Sequence, residues 1–148
     1  MQPQPPAGSC HATGADSFTG PDLRCTPGAR DPAVKQSTIA TTICVKGYTD
    51  TVRPPTRITK VEKIASMAAY GDTLPAAHYE YDHLVSLQLG GSPNDARNLW
   101  PEPGKIPNPK DRLENRLRRD VCAHKTSLIA AQRAIAKHWV EKYHELFG

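Results

Sequence analysis

Apolar residues recur at every second position between residues 79 and 89, which is the spacing of a half-buried β-strand. These positions are Tyr79, Tyr81, Val85, Leu87 and Leu89. His83 takes the place of an apolar residue in the same alternation. The pattern therefore predicts a strand that carries one histidine among its apolar positions.

A loop, a second strand and a helix are predicted to follow. Residues 90–95, Gly-Gly-Ser-Pro-Asn-Asp, are typical of a loop because Gly tolerates positive φ and Pro interrupts strand pairing. Residues 98–100, Asn-Leu-Trp, predict a short strand that is closed by Pro101 and Pro103. From about Pro109 to Val121, apolar residues four apart predict a helix.

Further helices are predicted on both sides of this unit. Residues 37–44 suit a short helix, and Thr59 can cap a helix that ends before Gly71. Ser127 can cap a long C-terminal helix. The apolar stripes of the last two consist of Val61, Ile64, Ala65 and Ala68, and of Leu128, Ala131, Ile135, Trp139 and Leu146. The predicted fold class is therefore α+β.

The 148 residues suit a single domain that is large enough to bury a core. Residues 1–30 are rich in Pro and Gly and are expected to be irregular, which leaves residues 31–148 as the folded domain. No internal repeat and no apolar run long enough to cross a membrane is evident, and we expect a monomer without a membrane or an obligate protein partner.

Three polar residues of the predicted hairpin suggest chemistry. His83 can take a proton from water near neutral pH, and Asp82 offers hard oxygen ligands to a divalent cation. Successive side chains of a strand point to opposite faces, so both can serve one site only where the strand twists or ends. Asn98 does not titrate and is better suited to hold the loop or the His83 ring.

The predicted helix supplies two acids, Asp111 and Glu114, which are three residues apart and share a face. Either could complete a metal site. Asp111 could instead be a first-turn acid that favours the helix dipole, and Glu114 could be the salt-bridge partner of Arg118. The sequence leaves these alternatives open.

The order of these motifs resembles the HNH endonucleases, a family with a ββα-metal core. The motifs that carry the resemblance are Asp82-His83-Leu84-Val85, Leu89-Gly90-Gly91, Asn98-Leu99-Trp100-Pro101 and Lys110-Asp111-Arg112-Leu113-Glu114. Residues 42–54 extend the resemblance to bacterial exported HNH proteins. It implies a ββα unit over about residues 78–121, packed with additional helices and stabilised by disulfides.

The resemblance implies a metal-dependent endonuclease with little sequence specificity. His83 would be the general base, Asp82 a metal ligand and Asn98 the residue that holds the loop. The last ligand of the family, a His or Asn on the helix, has no clear counterpart, so Glu114 is the preferred ligand, with Asp111 and Asn108 as alternatives. A site with two carboxylates favours Mg²⁺ or Mn²⁺ over Zn²⁺, and Zn²⁺ and Ca²⁺ are kept as alternatives.

The net charge of +4 is by itself a weak indication of a nucleic-acid partner. Basic residues are concentrated near the predicted helix, where they would attract phosphate: Lys105, Lys110, Arg112, Arg116, Arg118 and Arg119. For direct phosphate contacts to DNA, or to RNA as a second substrate, the candidates are Arg53, Arg57, Lys110 and Arg112. The alternative function is a nucleic-acid-binding or envelope protein in which the ββα unit is only structural.

Four cysteines without a CxxC pair favour two disulfides over a metal knuckle, and hence an oxidising compartment. Three pairings are compatible with the sequence, and we favour Cys10 with Cys25 and Cys44 with Cys122. We therefore expect a secreted or periplasmic protein. The first residues lack the basic and apolar regions of a signal peptide, so Met1 would replace a removed leader.

Overall fold

The computed structural model describes residues 1–104 and 107–148, so Lys105 of the predicted basic group lies outside the described residues. The fold is α+β, with a two-stranded sheet, helices and two disulfides. Its helices and strands are α1 (Tyr48–Val52), α2 (Thr56–Ala69), β1 (Tyr79–His83), β2 (Leu99–Pro103), α3 (Pro109–Cys122) and α4 (Leu128–Phe147).

β1 and β2 pair in antiparallel fashion, with Glu80 opposite Glu102 and Asp82 opposite Trp100. The prediction that β1 continues to Leu89 is wrong, because the strand ends at His83 and residues 87–89 form a 3₁₀ turn. Just beyond the strand, the side chain of Asn98 accepts the hydrogen bond of the Val85 N–H. The alternation predicted the burial of these residues but not where strand pairing stops.

β2 is longer than predicted, because Pro101 and Pro103 lie within it. The residues of β2 that exchange backbone hydrogen bonds with β1 are the even-numbered ones, since the Leu84 N–H continues the ladder by donating to the Asn98 carbonyl. Both prolines therefore face the unpaired edge, where a missing N–H costs no ladder hydrogen bond.

α3 and α4 agree with the sequence. Asn108 caps α3, with Pro109 as its first residue, and the Ser127 side chain caps α4 by accepting a hydrogen bond from the Ala130 N–H. The two helices pack against each other and bury the predicted stripes except for Leu146, which is partly buried. The core between them and the hairpin includes Leu84, Leu89, Trp100, Leu113, Leu117 and Ile135.

The predicted apolar stripe of α2 is wrong, because Val61 and Ile64 are each 55 % exposed while Glu62 is fully buried. The N-terminal segment covers this face of the helix, and the backbone N–H of Gln2 donates to the Glu62 carboxylate at 2.8 Å. α2 also begins at Thr56 rather than at Thr59. Residues 36–41 form a 3₁₀ helix that overlaps the short helix predicted at 37–44 and ends three residues earlier.

The two disulfides are Cys10–Cys25 and Cys44–Cys122, the pairing favoured from the sequence. The first ties the irregular N-terminal segment together, and the second joins the segment before α1 to the end of α3. Within residues 1–104 and 107–148, no helix combines the length and the apolar character that a membrane span requires.

Candidate active site

A cavity of about 390 Å³ lies between β1, α3 and the segment that joins α1 to α2. Its lining is rich in charged and polar side chains that come from all three regions. The ionisable residues among them are Arg53, Glu80, Tyr81, Asp82, His83, Asp111 and Glu114. The cavity thus collects the predicted base and three of the predicted metal ligands in one place.

His83 is the last residue of β1, and its side chain is held by the loop that follows. Its Nε2 atom lies 2.8 Å from the carbonyl oxygen of Pro93. A carbonyl can only accept a hydrogen bond, so Nε2 carries the proton and Nδ1 keeps a lone pair. Burial lowers the pKa of His83, which favours the neutral ring. The arrangement provides a neutral imidazole that can accept a proton at Nδ1.

Asn98 is fully buried and holds the loop between the strands. Its Nδ2 donates to the carbonyl oxygens of Val85 and Ser92, each at 3.0 Å, and its Oδ1 accepts from the Val85 N–H at 2.9 Å. Ser92 directly precedes Pro93, whose carbonyl accepts from His83. Asn98 therefore fixes the segment that orients the imidazole.

Gly91 explains why the loop contains a Gly-Gly pair. A β-carbon at residue 91 would collide with the backbone carbonyl of Val85 and would come within 2.7 Å of Asn98 Nδ2. Only glycine allows the loop to approach the end of β1 this closely. The position therefore depends on glycine through contact, without requiring a positive φ.

Lys110 occupies a different place from the one expected of a phosphate contact. Its side chain is 1 % exposed, and its ammonium lies 2.9 Å from Asp82 Oδ2 and 2.7 Å from Glu114 Oε1. It also donates to the carbonyl oxygen of His83 at 2.9 Å. The expectation for Lys110 is corrected accordingly, because an ammonium enclosed by two carboxylates presents no surface to a phosphate.

This lysine also changes the view of the two predicted ligands. Asp82 and Glu114 do come together, as the resemblance implied, but an ammonium lies between them. Burial alone would lower the pKa of Lys110, yet the neighbouring Asp82 and Glu114 raise it, so the lysine is charged. Asp82 Oδ2 also accepts from Trp100 Nε1 at 3.1 Å.

Two further carboxylates, Glu80 and Glu102, lie beside Asp82. One oxygen from each of the three residues can be chosen so that all lie within 4.8 Å of one another, a group that could hold a metal ion. Burial, reinforced by the charge of Asp82, raises the pKa of Glu80 to about 7 and that of Glu102 to about 10. Without a cation, the folded protein therefore favours the protonated forms of Glu80 and Glu102.

Sequence analysis missed Glu80 and Glu102. The alternation could have indicated Glu80, because it shares a face of β1 with Asp82. Glu102 enters only through the cross-strand register, which places it opposite Glu80. The strand register depends on how the intervening loop folds and on the hydrogen bonds of Asn98. The spacing of the motifs determines neither.

The alternative ligands Asn108 and Asp111 form a reciprocal cap at the start of α3. Asn108 Oδ1 accepts from the Asp111 N–H at 3.2 Å, and the Asn108 N–H donates to Asp111 Oδ2 at 2.9 Å. The Asn108 amide also donates to Glu80 Oε2 at 2.9 Å and to Glu102 Oε1. Asn108 thus acts as a donor to the acidic cluster, and its oxygen is already used by the helix.

The three predicted arginine contacts are exposed but do not converge. Arg53 lines the cavity and is close enough to His83 to lower its pKa, after the larger effect of burial. Arg57 lies in the first turn of α2 and is not among the residues that line the cavity. Arg112 lies over the ring of Phe147, 3.9 Å from its centroid. Arg53 is thus the only one of the three at the cavity.

No protein-family model, curated protein or solved structure matches this chain.

Proposed function

We propose that this protein is a metal-dependent endonuclease that hydrolyses phosphodiester bonds of DNA, with RNA as a second substrate class and with little sequence specificity. The observation that carries this proposal is the juxtaposition of His83 with Asp82 in one cavity. A neutral imidazole whose tautomer is fixed by Pro93 lies beside a carboxylate cluster suited to a divalent cation. The order of strand, loop, strand and helix also fits the resemblance to HNH endonucleases.

The residues present fit a divalent cation. Carboxylate oxygens are hard ligands of the kind that Mg²⁺, Mn²⁺ and Ca²⁺ prefer. Glu102 Oε2 is buried and has no hydrogen-bond partner among the described residues, which is unfavourable unless a proton or a cation satisfies it. Asp82 and its neighbouring carboxylates would hold the ion. When bound, the cation would polarise a phosphate oxygen and offset charge in the transition state.

The protein's own residues would do the remaining work. His83 Nδ1 accepts a proton from the water that attacks phosphorus, the bond between phosphorus and the 3′ oxygen breaks, and the released 3′ oxygen takes a proton from solvent water. Asn98 positions the loop that holds His83, so it acts through the imidazole. Arg53 is placed to bind a phosphate at the cavity, since it is exposed and lies in the lining.

The proposal is tested by incubating purified protein with supercoiled plasmid and Mg²⁺, Mn²⁺ or Ca²⁺, with and without EDTA. We expect cation-dependent cleavage that decreases at least about 100-fold in His83→Ala. His78→Ala is the matched control, because His78 is exposed and lies outside the cavity lining. Intact plasmid with every cation, or equal cleavage by His83→Ala, would contradict the enzyme.

A second candidate function is nucleic-acid binding without catalysis. The observation in its favour is Lys110, whose ammonium contacts both Asp82 and Glu114 and so gives the hairpin and α3 a structural connection. Retention of labelled DNA by the wild-type protein, with no cleavage under any of the above conditions, would favour this candidate.

The compartment and oligomeric state are further proposals. The two disulfides support an oxidising environment, and we propose a secreted or periplasmic monomer. Mass analysis under nonreducing conditions should find no free thiol after isolation from that compartment. Free thiols in the isolated protein would contradict export.

A further inference from the structure

The acidic cluster consists of Glu80, Asp82 and Glu102, and strand geometry brings these side chains together. Glu80 and Asp82 are two apart on β1 and so share one face, while Glu102 on β2 is the direct partner of Glu80. Like charges placed directly opposite each other destabilise an antiparallel pair. Such an arrangement therefore calls for a compensating positive charge.

The hydrogen bonds of the cluster leave a ligand position open on every member. Glu80 Oε2 and Glu102 Oε1 accept from the Asn108 amide, and Asp82 Oδ2 accepts from Trp100. In residues 1–104 and 107–148, the other carboxylate oxygen of each residue accepts no hydrogen bond. For Glu102, which is 4 % exposed, that oxygen is fully enclosed and unpartnered.

An unpartnered buried carboxylate oxygen at the cluster is an observation independent of the clustering itself. Native proteins pair almost all buried polar atoms, and an exception calls for an unseen partner. An apolar neighbour would not supply one, whereas a proton or a bound cation would.

The position of Lys110 argues against the metal site predicted from the sequence, which consists of Asp82 and Glu114. Its ammonium is enclosed between Asp82 and Glu114, so a cation bound by that pair would have to displace a buried lysine. Among the described residues, Glu80 and Glu102 accept hydrogen bonds from the Asn108 amide and from no basic side chain. The geometry points to a divalent-cation site formed by Glu80, Asp82 and Glu102, with Lys110 as a fixed counter-ion of Glu114.

This inference rests on the proposed function, whose metal site it defines. Two oxygens bound to one ion are separated by at most twice the metal–oxygen distance, which is about 5 Å for Ca²⁺ and about 4 Å for Mg²⁺. The three oxygens lie within 4.8 Å of one another, which is inside the limit for Ca²⁺, and Mg²⁺ requires separations of no more than about 4 Å. Glu80 is partly exposed and lines the cavity with Asp82, which gives an ion a route from solvent.

The test measures Mn²⁺ binding to chelator-treated protein without nucleic acid, using the electron paramagnetic resonance signal of the free ion. Glu102→Gln keeps the shape of the side chain and removes its charge, and it should weaken Mn²⁺ binding by more than about tenfold. Glu114→Gln is the matched control, and its affinity should remain within about threefold of wild type.

Three outcomes would overturn the inference. These are the absence of Mn²⁺ binding in the wild-type protein, wild-type affinity in Glu102→Gln, and loss of binding in Glu114→Gln but not in Glu102→Gln. If circular dichroism shows that Glu102→Gln is unfolded, Glu80→Gln replaces it with the same expected loss, because Glu80 is partly exposed.

The result of the Mn²⁺-binding test can be distinguished from the result of the plasmid-cleavage test. His83→Ala should bind Mn²⁺ as the wild-type protein does, since His83 is not a member of the cluster. Mn²⁺ binding that depends on Glu102 in a protein that cleaves no plasmid would reject the endonuclease and retain the site. Cation-dependent cleavage that survives Glu102→Gln would reject the site and retain the enzyme.

Discussion

The ammonium of Lys110 lies 2.9 Å from Asp82 Oδ2, so the first turn of α3 is tied to the penultimate residue of β1 by a buried ion pair. Glu114 contacts the same ammonium, and Lys110 also donates to the carbonyl of His83. One side chain thus joins both predicted ligands and the backbone of the predicted base. The position of the His83 backbone relative to Asp82 and Glu114 therefore depends on Lys110.

Lys110→Met should destabilise the protein by about 3–5 kcal/mol, because it leaves Asp82 and Glu114 buried without their counter-ion. Urea denaturation measures the change in the free energy of unfolding. Arg119→Met is the control, since Arg119 is exposed on the same helix and should change stability by less than about 0.5 kcal/mol. Equal stability of the two variants would show that the buried pair contributes nothing.

The stability of the metal-free protein should fall as pH rises. Burial raises the pKa of Glu80 to about 7 and that of Glu102 to about 10, from 4.5 for an exposed glutamate. Both acids hold protons more tightly when folded, so their contribution is complete below the unfolded pKa and is lost as pH rises through the folded values. In EDTA, the melting temperature should decrease by about 5 °C between about pH 5 and pH 8.

Other acids of the chain also titrate, so the informative comparison is with Glu102→Gln. This variant removes one of the raised groups, and its melting temperature should depend less steeply on pH. Parallel curves for the variant and the wild-type protein would contradict the assignment. Added Mn²⁺ should raise the melting temperature of the wild-type protein at the higher pH. It should leave the melting temperature of Glu102→Gln nearly unchanged.

Local signals were sufficient to predict α3 and α4. Asn108 and Ser127 cap these helices, and their apolar stripes face the core. For α2 the same reasoning chose the wrong face, because the N-terminal segment pairs with Glu62 and covers a polar side of the helix. The path of an irregular segment has no period, so hydrophobic spacing could not predict this contact.

The candidate site divides in a similar way. The sequence could place Asp82, His83 and Asn98 together because they belong to one short strand–loop–strand segment. It could not predict that Lys110 turns inward, since the direction of a long side chain depends on which carboxylates surround it. It also could not pair Glu80 with Glu102 before the strand register was known.

Asn98→Ala should destabilise the protein by about 2–4 kcal/mol, because it leaves the Val85 N–H and two carbonyls without their partners in a buried site. Asn98→Asp should be no better, since a carboxylate oxygen would face the carbonyls of Val85 and Ser92. Chemical denaturation measures both. Asn115→Ala serves as the control at an exposed asparagine, and a similar loss there would contradict a specific role for Asn98.

Gly91→Ala should cost more than about 3 kcal/mol, because the added methyl group collides with the backbone carbonyl of Val85, which cannot rotate away. Gly20→Ala is the matched control, since a β-carbon there would approach Thr13 Oγ1 only to 3.4 Å. Thermal melts of the two variants give the comparison. Equal melting temperatures would show that the loop between the strands can move away from β1.

The two disulfides should differ in their contribution to stability. Cys44–Cys122 closes a loop of 78 residues and Cys10–Cys25 one of 15, and a longer loop loses more entropy when the unfolded chain is cross-linked. Replacing Cys44 and Cys122 by serine should therefore lower the free energy of unfolding by about 4–5 kcal/mol. Replacing Cys10 and Cys25 should lower it by about 3 kcal/mol. Cys44–Cys122 also holds the end of α3, the helix that carries Lys110 and Glu114. Urea denaturation of both double variants measures the difference, and a larger loss from the Cys10–Cys25 pair would show that native contacts of the N-terminal segment outweigh chain entropy.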